Sequence, residues 1–555
     1  MAANTYVIGV DFGTLSGRAV LVEADTGRIA GQKEHRYAHG VMTRLPGGEK
    51  LADGWALQDP ADYLQVLEET IPPLLREAGI SGEQVAGLGC DVTSCTILPT
   101  LSDGTPLCRL EEYRDHPHAY VKIWKHHSAH TQAQRIESWV TIAAPTLLER
   151  YGAKVSSQWM LPKVLQILEE APEVYRDAEL ILEAVDWLSF QLTGNLRRNT
   201  CCAGFKSFWE SEKGYPTQEF FAALDPRLED LVPQKLRGAM AAPWEAVGCL
   251  TPEWAGRLGL STHTAVASGI IDAHAGVFGC GITEGNRLML VLGTSSCHML
   301  LSEKEVMVPG ICGSCYEGIL PGYYAYEAGQ ACVGDMLDWF IQTSVPASCA
   351  GQARERGISL HQLLTEQAGR LAPGESGLLA LDWWNGQRTP LVDDALTGLM
   401  LGMTMETTPA EQYRALLEGA AFGAKWILET FEAAGLTVEE IVSCGGITHK
   451  NPLMMQIYAD VLDRPIRVAD SHQCTALGAA VLAAAAAGLF ESPSAAVKKL
   501  TQPGNTLYLP DPERAACYRN IYRHHQALTA YFGQEDIMRE LSALRRRVRR
   551  KKEEL

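Results

Sequence analysis

The start of the chain has an apolar block, a polar glycine-rich block and a second apolar block, which predicts two strands joined by a tight turn. The apolar blocks are Val7–Val10 and Ala19–Val22, and Asp11, Gly13 and Gly17 lie between them. Glycine allows such a turn to be sharp and to approach a ligand closely. The turn would direct backbone N–H groups and hydroxyls at one point, which suits a phosphate group.

Asp11 stands where the first predicted strand ends, beside this turn. A carboxylate repels a bare phosphate, so its position is explained if a divalent cation lies between the two groups. We therefore expect Asp11 to hold a metal ion, directly or through water. An ordinary hairpin with a buried capping aspartate is the alternative interpretation of this stretch.

The same pattern recurs in the second half of the chain. Leu288–Leu292 and Cys297–Leu300 are apolar blocks that flank the turn 293–296. Aligning the two turns places Gly13-Thr14 on Gly293-Thr294, Ser16 on Ser296 and Asp11 on Val291. The phosphate-binding turn is thus duplicated, whereas the acidic residue is not. This pattern resembles the actin and hexokinase superfold, and it predicts an α/β fold of two actin/hexokinase-like (ribonuclease H-like) domains with a cleft for ATP and sugar between them.

Apolar periodicity further along the chain predicts helices that alternate with strands. Val85–Cys90 has the continuous apolar character of a buried strand. The predicted helices are 60–79, 157–195, 409–434 and 475–490, together with a long helix that Tyr326–Ala331 opens and that runs through Gly334 to Trp339.

An irregular, proline-punctuated stretch, Pro226–Pro252, precedes the next predicted strand and indicates a domain boundary. We expect an N-terminal domain at 1–262 that carries the first phosphate turn and the sugar side. A C-terminal domain at 263–530 would carry the second phosphate turn and the adenosine site. Residues 531–555 are predicted to form a basic helical tail, whose charges are typical of a solvated face.

Length and composition limit the classes of function. At about 150 residues per domain, a chain of 555 residues allows two large domains or three to four small ones, and 46% apolar content is ample for large cores. The net charge is −18, which disfavours nucleic acid and anionic membranes as main partners. No apolar run reaches the roughly 18 residues of a membrane span. With no room for a signal peptide before Tyr6 and with 15 cysteines, we expect a cytoplasmic protein with reduced thiols.

Asp272 is the candidate catalytic base. The sequence 267–276 predicts a strand end that runs into a helix, with Asp272 in the first helical turn. There the helix dipole is expected to keep the carboxylate ionised, so that it can accept the proton of an attacking hydroxyl. Its place just before the second phosphate turn favours this role over a simple helix cap.

Small polar residues at the end of a predicted strand, 91–96, are typical of a pocket lip in an α/β domain. Lys206 lies between Phe205 and Phe208, where it could bind a hydroxyl or carbonyl in a cleft. Glu327 is a candidate ligand for substrate hydroxyls, and Trp124 a candidate pocket wall or core residue.

Two groups of potential metal ligands have simpler interpretations. His126, His127 and His130 have the spacing of a zinc site, but no cysteine or carboxylate nearby completes a ligand set. Cys312 and Cys315 form a C-x-x-C pair without a thioredoxin context, so we interpret them as structural.

A strand that meets a diglycine turn, Gly445-Gly446, predicts a place where adenosine lies flat on the backbone. Asn451 follows at the start of the next helix, near the base or ribose. A diglycine turn alone is a weak signal, but after two phosphate turns it is specific. The chain has no G-x-x-x-x-G-K-[ST] sequence, which excludes a P-loop enzyme.

The chain up to about residue 530 resembles the FGGY carbohydrate kinases, and within them the ribulokinase branch. The family's second signature, from Gly398 to Glu418, is present only loosely, with Gln412 where an apolar residue is usual. The segments that carry the resemblance are VIGVDFGTLSGRAV at 7–20, DVTSCTILP at 91–99, YVKIWKHHSA at 120–129, GFKSFW at 204–209, SGIIDAHAGVFG at 268–279, LVLGTSSCHM at 290–299, YAYEAGQACVGD at 324–335, DWWNGQRTP at 382–390 and CGGITHKNPLMMQIYADV at 444–461.

The resemblance implies an enzyme that phosphorylates ribulose at its terminal 5-hydroxyl with ATP and Mg²⁺, in L-arabinose catabolism. It implies Asp272 as the base and Asp11 near Mg²⁺. The substrate residues it implies are Ser94, Lys206, Asp272, Glu327 and, as a wall, Trp124. The nucleotide residues it implies are Gly13, Thr14, Ser16, Arg18, Gly293, Thr294, Gly334, Gly445, Gly446 and Asn451.

Two alternatives remain open at this point. One is an FGGY kinase for another ketose or polyol, such as xylulose or ribitol. The other is a non-catalytic regulator that binds sugar or ATP on the same fold, which the presence of both Asp11 and Asp272 argues against. The sequence is compatible with a homodimer but does not determine the oligomeric state.

Overall fold

The computed structural model of the protein describes residues 4–553. In chain order, the strands are β1 (Tyr6–Phe12), β2 (Ser16–Glu23), β3 (Ile29–Arg36), β4 (Leu57–Gln58), β5 (Val85–Val92), β6 (Ile97–Thr100), β7 (Val121–Lys122), β8 (Leu180–Glu183), β9 (Arg197–Asn199), β10 (Ala239–Ala241), β11 (Ala246–Cys249), β12 (Ala265–Ala267), β13 (Ile270–Ile271), β14 (Arg287–Leu292), β15 (Ser296–Ser302), β16 (Gly313–Tyr316), β17 (Tyr324–Gln330), β18 (Leu379–Leu381), β19 (Leu399–Leu401), β20 (Glu440–Cys444), β21 (Ile466–Val468) and β22 (Leu507–Tyr508).

The α-helices separate and cover these strands. In chain order, they are α1 (Pro60–Ala78), α2 (His130–Ala143), α3 (Pro145–Glu149), α4 (Met160–Glu170), α5 (Pro172–Asp177), α6 (Ala184–Thr193), α7 (Thr200–Lys206), α8 (Gln218–Leu224), α9 (Pro252–Leu258), α10 (Asp272–Gly279), α11 (Gly334–Ser344), α12 (Ala347–Glu355), α13 (Leu360–Ala368), α14 (Pro409–Ala433), α15 (Gly446–Lys450), α16 (Pro452–Leu462), α17 (Cys474–Ala486), α18 (Pro493–Leu500), α19 (Pro512–Gln534) and α20 (Ile537–Glu553).

Two large mixed sheets form the centres of two lobes. The first has the strand order β11-β12-β5-β1-β2-β3, with β13 also paired to β5, and the second has the order β16-β17-β15-β14-β20-β21-β22. In the first sheet, β1 is antiparallel to β2 and parallel to β5. In the second, β14 is antiparallel to β15 and parallel to β20. The repeated arrangement confirms the predicted pair of similar α/β domains.

Several predicted helices are confirmed, and local chemistry explains where they begin and end. In α1 the side chain of Asp59 accepts a hydrogen bond from the backbone N–H of Ala61, and Gly79 ends the helix in the left-handed conformation. In α14 Thr408 and Glu411 form a capping box. These contacts satisfy N–H and C=O groups that have no partner inside the helix.

Two predicted helices are wrong. Residues 157–195 contain α4, α5 and α6, but the buried strand β8 lies between α5 and α6. Residues 326–330 belong to a strand, β17, which lies between β15 and β16, and the helix that follows begins at Gly334. Pairing with neighbouring strands overrides local helix preference in both cases, and periodicity cannot separate a short apolar strand from a buried helix.

The alanine-rich helix α17 belongs to the second half of the chain but packs on the first sheet. A side chain at Gly9 would collide with the backbone of α17 at Ala476, and one at Gly89 would collide with it at Ala479. The helices α10 and α17 also cross closely, since a side chain at Gly279 would meet the backbone of Cys474. Close approach therefore explains glycine on this face of the sheet.

The predicted boundary at 262/263 precedes β12 and β13, so the first sheet extends past it to Ile271. The basic tail is helical, as predicted, and its first turns dock on the second lobe: Met538 is buried and Arg539 lies 2.7 Å from the carboxylate of Asp393. Residues 554–555 of the predicted tail lie outside the described residues. Among the helices described, none combines the length and the apolarity that a membrane span needs.

Candidate active site

The two predicted phosphate turns lie at the same place in their respective sheets, but they differ in length. In the first turn the backbone N–H of Gly13 donates to the carbonyl of Ser16, and in the second that of Gly293 donates to the carbonyl of Ser295. The strands close at the pairs Phe12–Gly17 and Leu292–Ser296. The second turn is thus one residue shorter, so Ser16 corresponds to Ser295, and its predicted alignment with Ser296 is wrong.

Side chains from several elements fix the first turn. The hydroxyl of Tyr37 donates to the carbonyl of Gly13 at 2.9 Å, and the indole N–H of Trp124 donates to the hydroxyl of Thr14 at 3.1 Å. The hydroxyl of Ser16 is buried and donates to Glu34. Trp124 therefore contacts the first predicted phosphate turn and packs against the core of the first lobe.

Arg18 is the cation of this turn. Its Nη1 lies 3.0 Å from Oδ2 of Asp11, directly across the β1–β2 pair. Its Nη2 lies 3.7 Å from Glu34. About a third of the Arg18 side chain is exposed, with a relative exposure of 37%, so the guanidinium can contact a ligand while it remains beside Asp11.

The second turn, the start of α11 and the diglycine turn adjoin one another. The backbone N–H of Gly334 donates to the carbonyl of Gly293 at 3.0 Å, and that of Asp335 donates to Thr294. Gly445 has φ +102° and lies against the backbone of Leu292, where a side chain would collide. The backbones of Gly293, Gly334 and Gly445 therefore lie close together in the second lobe.

Asn451 is the N-cap residue that directly precedes α16. Its side-chain carbonyl accepts a hydrogen bond from the backbone N–H of Met454 at 3.0 Å. Its amide nitrogen lies 3.4 Å from the hydroxyl of Thr365. The residue acts as a helix cap in the structure, which leaves the proposed contact with adenosine as a prediction.

Three acidic residues meet where the strands of the first sheet end. Asp11 and Asp91 lie opposite each other on the parallel strands β1 and β5. Asp272 is the first residue of α10, directly after β13, which pairs with β5 at Asp91. Burial raises the pKa of Asp91 well above its usual range, and the nearby charges of Asp11 and Asp272 add to the shift.

Asp272 lies in the first turn of α10, as predicted, but its carboxyl is only partly ionised near neutral pH, whereas a fully ionised carboxylate was expected. Burial raises its pKa to about 7, and the charges of Asp11 and Glu327 act in the same direction. The hydrogen bond of 2.7 Å from the backbone N–H of Ala273 lowers the pKa but does not offset burial. A carboxyl with this pKa is matched to proton transfer near neutral pH.

Glu327 lies at the centre of a buried network that connects the two lobes. Its Oε2 lies 2.6 Å from Nζ of Lys206 and 3.1 Å from Nε2 of His274. Its Oε1 lies 2.7 Å from Nη2 of Arg388. Lys206 comes from the first lobe, and Glu327 and Arg388 come from the second. The cations keep the pKa of Glu327 well below its usual range despite full burial.

Sequence reasoning placed Asp91 in the predicted pocket lip 91–96 without a role of its own, and it missed His274 and Arg388. Arg388 stands in the polar aromatic loop 382–390, and its Nε also contacts the thiol of Cys312 at 3.2 Å. A charged residue in an aromatic loop was the available signal for Arg388. For Asp91 the signal was a carboxylate at the carboxyl end of a buried strand.

The remaining candidates lie at the edge of this network or outside it. Ser94 is half-buried in the segment that follows β5, and its hydroxyl lies 3.3 Å from the thiol of Cys95. His126 is buried and contacts Gln166 and Ser128 at 2.9 and 2.7 Å, which satisfies the ring without a zinc ion. Cys312, interpreted as structural, is a neighbour of Arg388.

Asp91 is the acidic residue whose surroundings bear on a divalent cation. Neither carboxylate oxygen of Asp91 has a hydrogen-bond partner within residues 4–553, although both are fully buried. Buried polar atoms are nearly always satisfied, so this pair of oxygens calls for a ligand. Carboxylate oxygens are the ligands that Mg²⁺ prefers. The side chains at the end of the first sheet therefore fit a hard divalent cation.

Comparison with known proteins identifies related chains over nearly the whole length. Residues 6–279 match the N-terminal domain, and residues 288–487 the C-terminal domain, of the family model described as the FGGY family of carbohydrate kinases. A protein of Halalkalibacterium halodurans named ribulokinase is 47% identical over 548 residues, which cover 97% of each chain. A ribulokinase of Bacillus licheniformis is 47% identical over 96% of this chain and 98% of its own.

Solved structures of lower identity share the fold. The gluconate kinase of Lactobacillus acidophilus superposes with a TM-score of 0.79 at 20% identity, over 96% of this chain and 99% of its own. The xylulose kinase of Rhodospirillum rubrum superposes with a TM-score of 0.77 at 22% identity, over 95% of this chain and 100% of its own. These likenesses confirm the two-lobed kinase fold.

Proposed function

The chain belongs to the FGGY family of carbohydrate kinases and is an ATP-dependent sugar kinase, and we propose that its acceptor is ribulose, phosphorylated at the terminal 5-hydroxyl. The names of the relatives that are 47% identical support this acceptor. A role in the catabolism of L-arabinose is consistent with it. The observation that carries the proposal is the position of Asp272, beside Asp11 and next to the Glu327 network that joins the lobes.

Glu327 and Lys206 are the proposed ligands of the sugar. The carboxylate of Glu327 can accept a hydrogen bond from a sugar hydroxyl, and the ammonium group of Lys206 can donate one to a hydroxyl or a carbonyl. A ketose offers both kinds of group. Both side chains are already ion-paired and hydrogen-bonded, so their positions are fixed before the sugar arrives. Ser94 is small, which leaves room for a five-carbon acceptor, and Trp124 is the proposed wall.

Asp272 is the proposed base. Its carboxylate would accept the proton of the 5-hydroxyl as that oxygen attacks the γ phosphorus of ATP. In the same transfer the bond between the γ phosphorus and the β,γ-bridging oxygen breaks, and that oxygen leaves with ADP. The pKa of about 7 allows the group to be deprotonated before the transfer and to hold the proton afterwards. Closure of the lobes over both substrates would exclude water as a competing acceptor.

The two glycine-rich turns are proposed to bind the phosphates of the nucleotide. Gly13, Thr14, Ser16 and Arg18 would face the terminal phosphates from the first lobe, and Gly293 and Thr294 from the second. Gly334, Gly445, Gly446 and Asn451 would hold the rest of the nucleotide. When bound with ATP, Mg²⁺ neutralises developing charge on the phosphates. Asp11 would hold it, directly or through water, and Arg18 keeps that carboxylate in place.

A coupled assay of ADP release with purified protein and MgATP tests the acceptor. The panel is L-ribulose, D-ribulose, D-xylulose, ribitol and glycerol. We expect the highest kcat/KM with L-ribulose, and activity with D-ribulose would extend the substrate range within the proposal. Equal or faster turnover of xylulose, ribitol or glycerol would refute the ribulose assignment. Sugar binding without any ADP release would favour a non-catalytic regulator.

A further inference from the structure

Asp91 occupies a defined place on the face of the first sheet. Alternate residues of a strand share a face, so Asp11 follows Gly9, and Asp91 follows Gly89, on the side of the sheet that α17 covers. The pairs Gly9–Gly89 and Asp11–Asp91 are both in register. The glycine pair lies under α17, and the carboxylate pair is the next pair toward the cleft. Adjacent strands lie about 5 Å apart, so both carboxylates can reach a single cation.

The equivalent pair in the second lobe has neither acid. By strand position, β14 corresponds to β1 and β20 to β5, and Val291 pairs with Cys444 where Asp11 pairs with Asp91. Both acids of the pair therefore occur in one lobe and both are lacking in the other. This distribution is expected if the two carboxylates bind the same ligand. Two similar lobes that enclose one nucleotide need only one site for its cation, so only one lobe carries the pair of acids.

Asp91 also lacks the contacts that usually explain a buried acid. Asp11 has Arg18 at 3.0 Å. Asp91 is 0% exposed, and among the residues described its oxygens have no hydrogen-bond donor unless a proton is shared with the carboxyl of Asp11. A fully buried carboxylate without donors is costly in free energy. A ligand that supplies positive charge would offset this cost.

We propose that Asp91 is a second carboxylate of the divalent-cation site, which together with Asp11 holds the Mg²⁺ that accompanies ATP, directly or through a bound water. This inference rests on the proposed function, since it assigns a residue to the cation of that reaction. It makes Asp91 a ligand-binding residue, whereas the rival role is that of a neutral, protonated side chain that only fills the core.

Asp91→Asn separates the two roles, because asparagine has the same shape and no charge. The measurement is the affinity of the full-length protein for Mn²⁺ in the presence of ADP, followed by electron paramagnetic resonance of free Mn²⁺. We expect Asp91→Asn to weaken Mn²⁺ binding by about 10- to 100-fold, while ADP binding measured in EDTA stays unchanged. A residue that only fills the core predicts the same Mn²⁺ affinity in both proteins.

Asp382→Asn is the matched control. Asp382 is also buried with a raised pKa of about 7, but it lies in the second lobe and accepts a hydrogen bond from Gln330. Its substitution should leave Mn²⁺ affinity unchanged, and an equal loss in both variants would overturn the inference. If Asp91→Asn does not fold, Asp91→Ser carries the same measurement with the same criteria.

Failure of this inference differs from failure of the proposed function. If the unsubstituted protein binds Mn²⁺ with ADP and Asp91→Asn binds it equally well, the role of Asp91 is wrong and the kinase assignment stands. If the unsubstituted protein shows no ADP-dependent Mn²⁺ binding, the proposed cation site at Asp11 is wrong and the role of Asp91 is wrong with it, whereas the ribulose assignment is tested separately by the ADP-release assay. If Asp91→Asn alone loses affinity, the inference is supported.

Discussion

Nζ of Lys206 lies 2.6 Å from Oε2 of Glu327, and this contact joins the two lobes at the proposed sugar site. Lys206 ends α7 of the first lobe, and Glu327 lies in β17 of the second. Each side chain is 3% exposed. The pair is therefore shielded from solvent and salt, so its strength depends on geometry, on the neighbouring cation Arg388 and on the hydrogen bond with His274, whose pKa burial lowers.

We expect Lys206→Met to lower both the free energy of unfolding and the affinity for the sugar. Removing one partner of a buried ion pair leaves the other charge uncompensated, which typically costs about 3–5 kcal/mol. Chemical unfolding should show a loss in this range, and the KM for ribulose should rise while ADP binding in EDTA is kept. The double variant with Glu327→Gln should be less destabilised than the sum of the single variants. Additive losses would show that the two residues do not interact.

Asp272→Asn should lower kcat by roughly 10³-fold or more, since the proposed base is lost. Sugar binding, measured by calorimetry, should survive because asparagine keeps the size of the side chain. Glu327 and Lys206 are unchanged in this variant and continue to bind the sugar. A loss in kcat smaller than tenfold would remove Asp272 from the role of base.

The pH dependence of kcat/KM should report the raised pKa of Asp272, about 7. Below that value the base is protonated, so kcat/KM should fall about tenfold for each pH unit, and above it the profile should level off. A profile that stays flat from pH 5 to 8 would contradict this role.

The raised pKa of Asp272 also predicts how the free energy of unfolding changes with pH. The folded-state pKa of about 7 lies above the ordinary value of 3.8, so the folded protein binds more protons than the unfolded chain between these values. The contribution of Asp272 to the free energy of unfolding therefore falls as pH rises from about 4 to 7. Unfolding of Asp272→Asn should lack this contribution, and an unchanged pH dependence would show that the pKa is not raised.

Gly445→Ala and Gly446→Ala form a matched pair at the proposed adenosine site. A methyl group at Gly445 would meet the carbonyl of Leu292 in a backbone conformation, φ +102°, that alanine rarely adopts. At Gly446 the same group meets no atom within 4 Å. We expect Gly445→Ala to lower the melting temperature and ADP affinity, and Gly446→Ala to leave the melting temperature unchanged. Equal melting temperatures would contradict the packing described for Gly445.

The sequence by itself determined the duplicated turns, the α/β character and the family resemblance, because these depend on local patterns of apolar residues, glycine and short motifs. It also placed Asp272 at a helix start and Lys206 in a buried segment. Local pattern misassigned β17 and β8, since pairing with distant strands decided those segments.

Only the tertiary structure decided which charges meet. Asp11 and Asp91 become neighbours through the pairing of β1 with β5, and Glu327 gains Arg388 through a loop that is distant in sequence. The pKa of Asp272 depends on burial and on the charges of Asp11 and Glu327, which no local motif records. Electrostatic interactions act through space, so the ionisation of the site follows from packing and not from the order of residues along the chain.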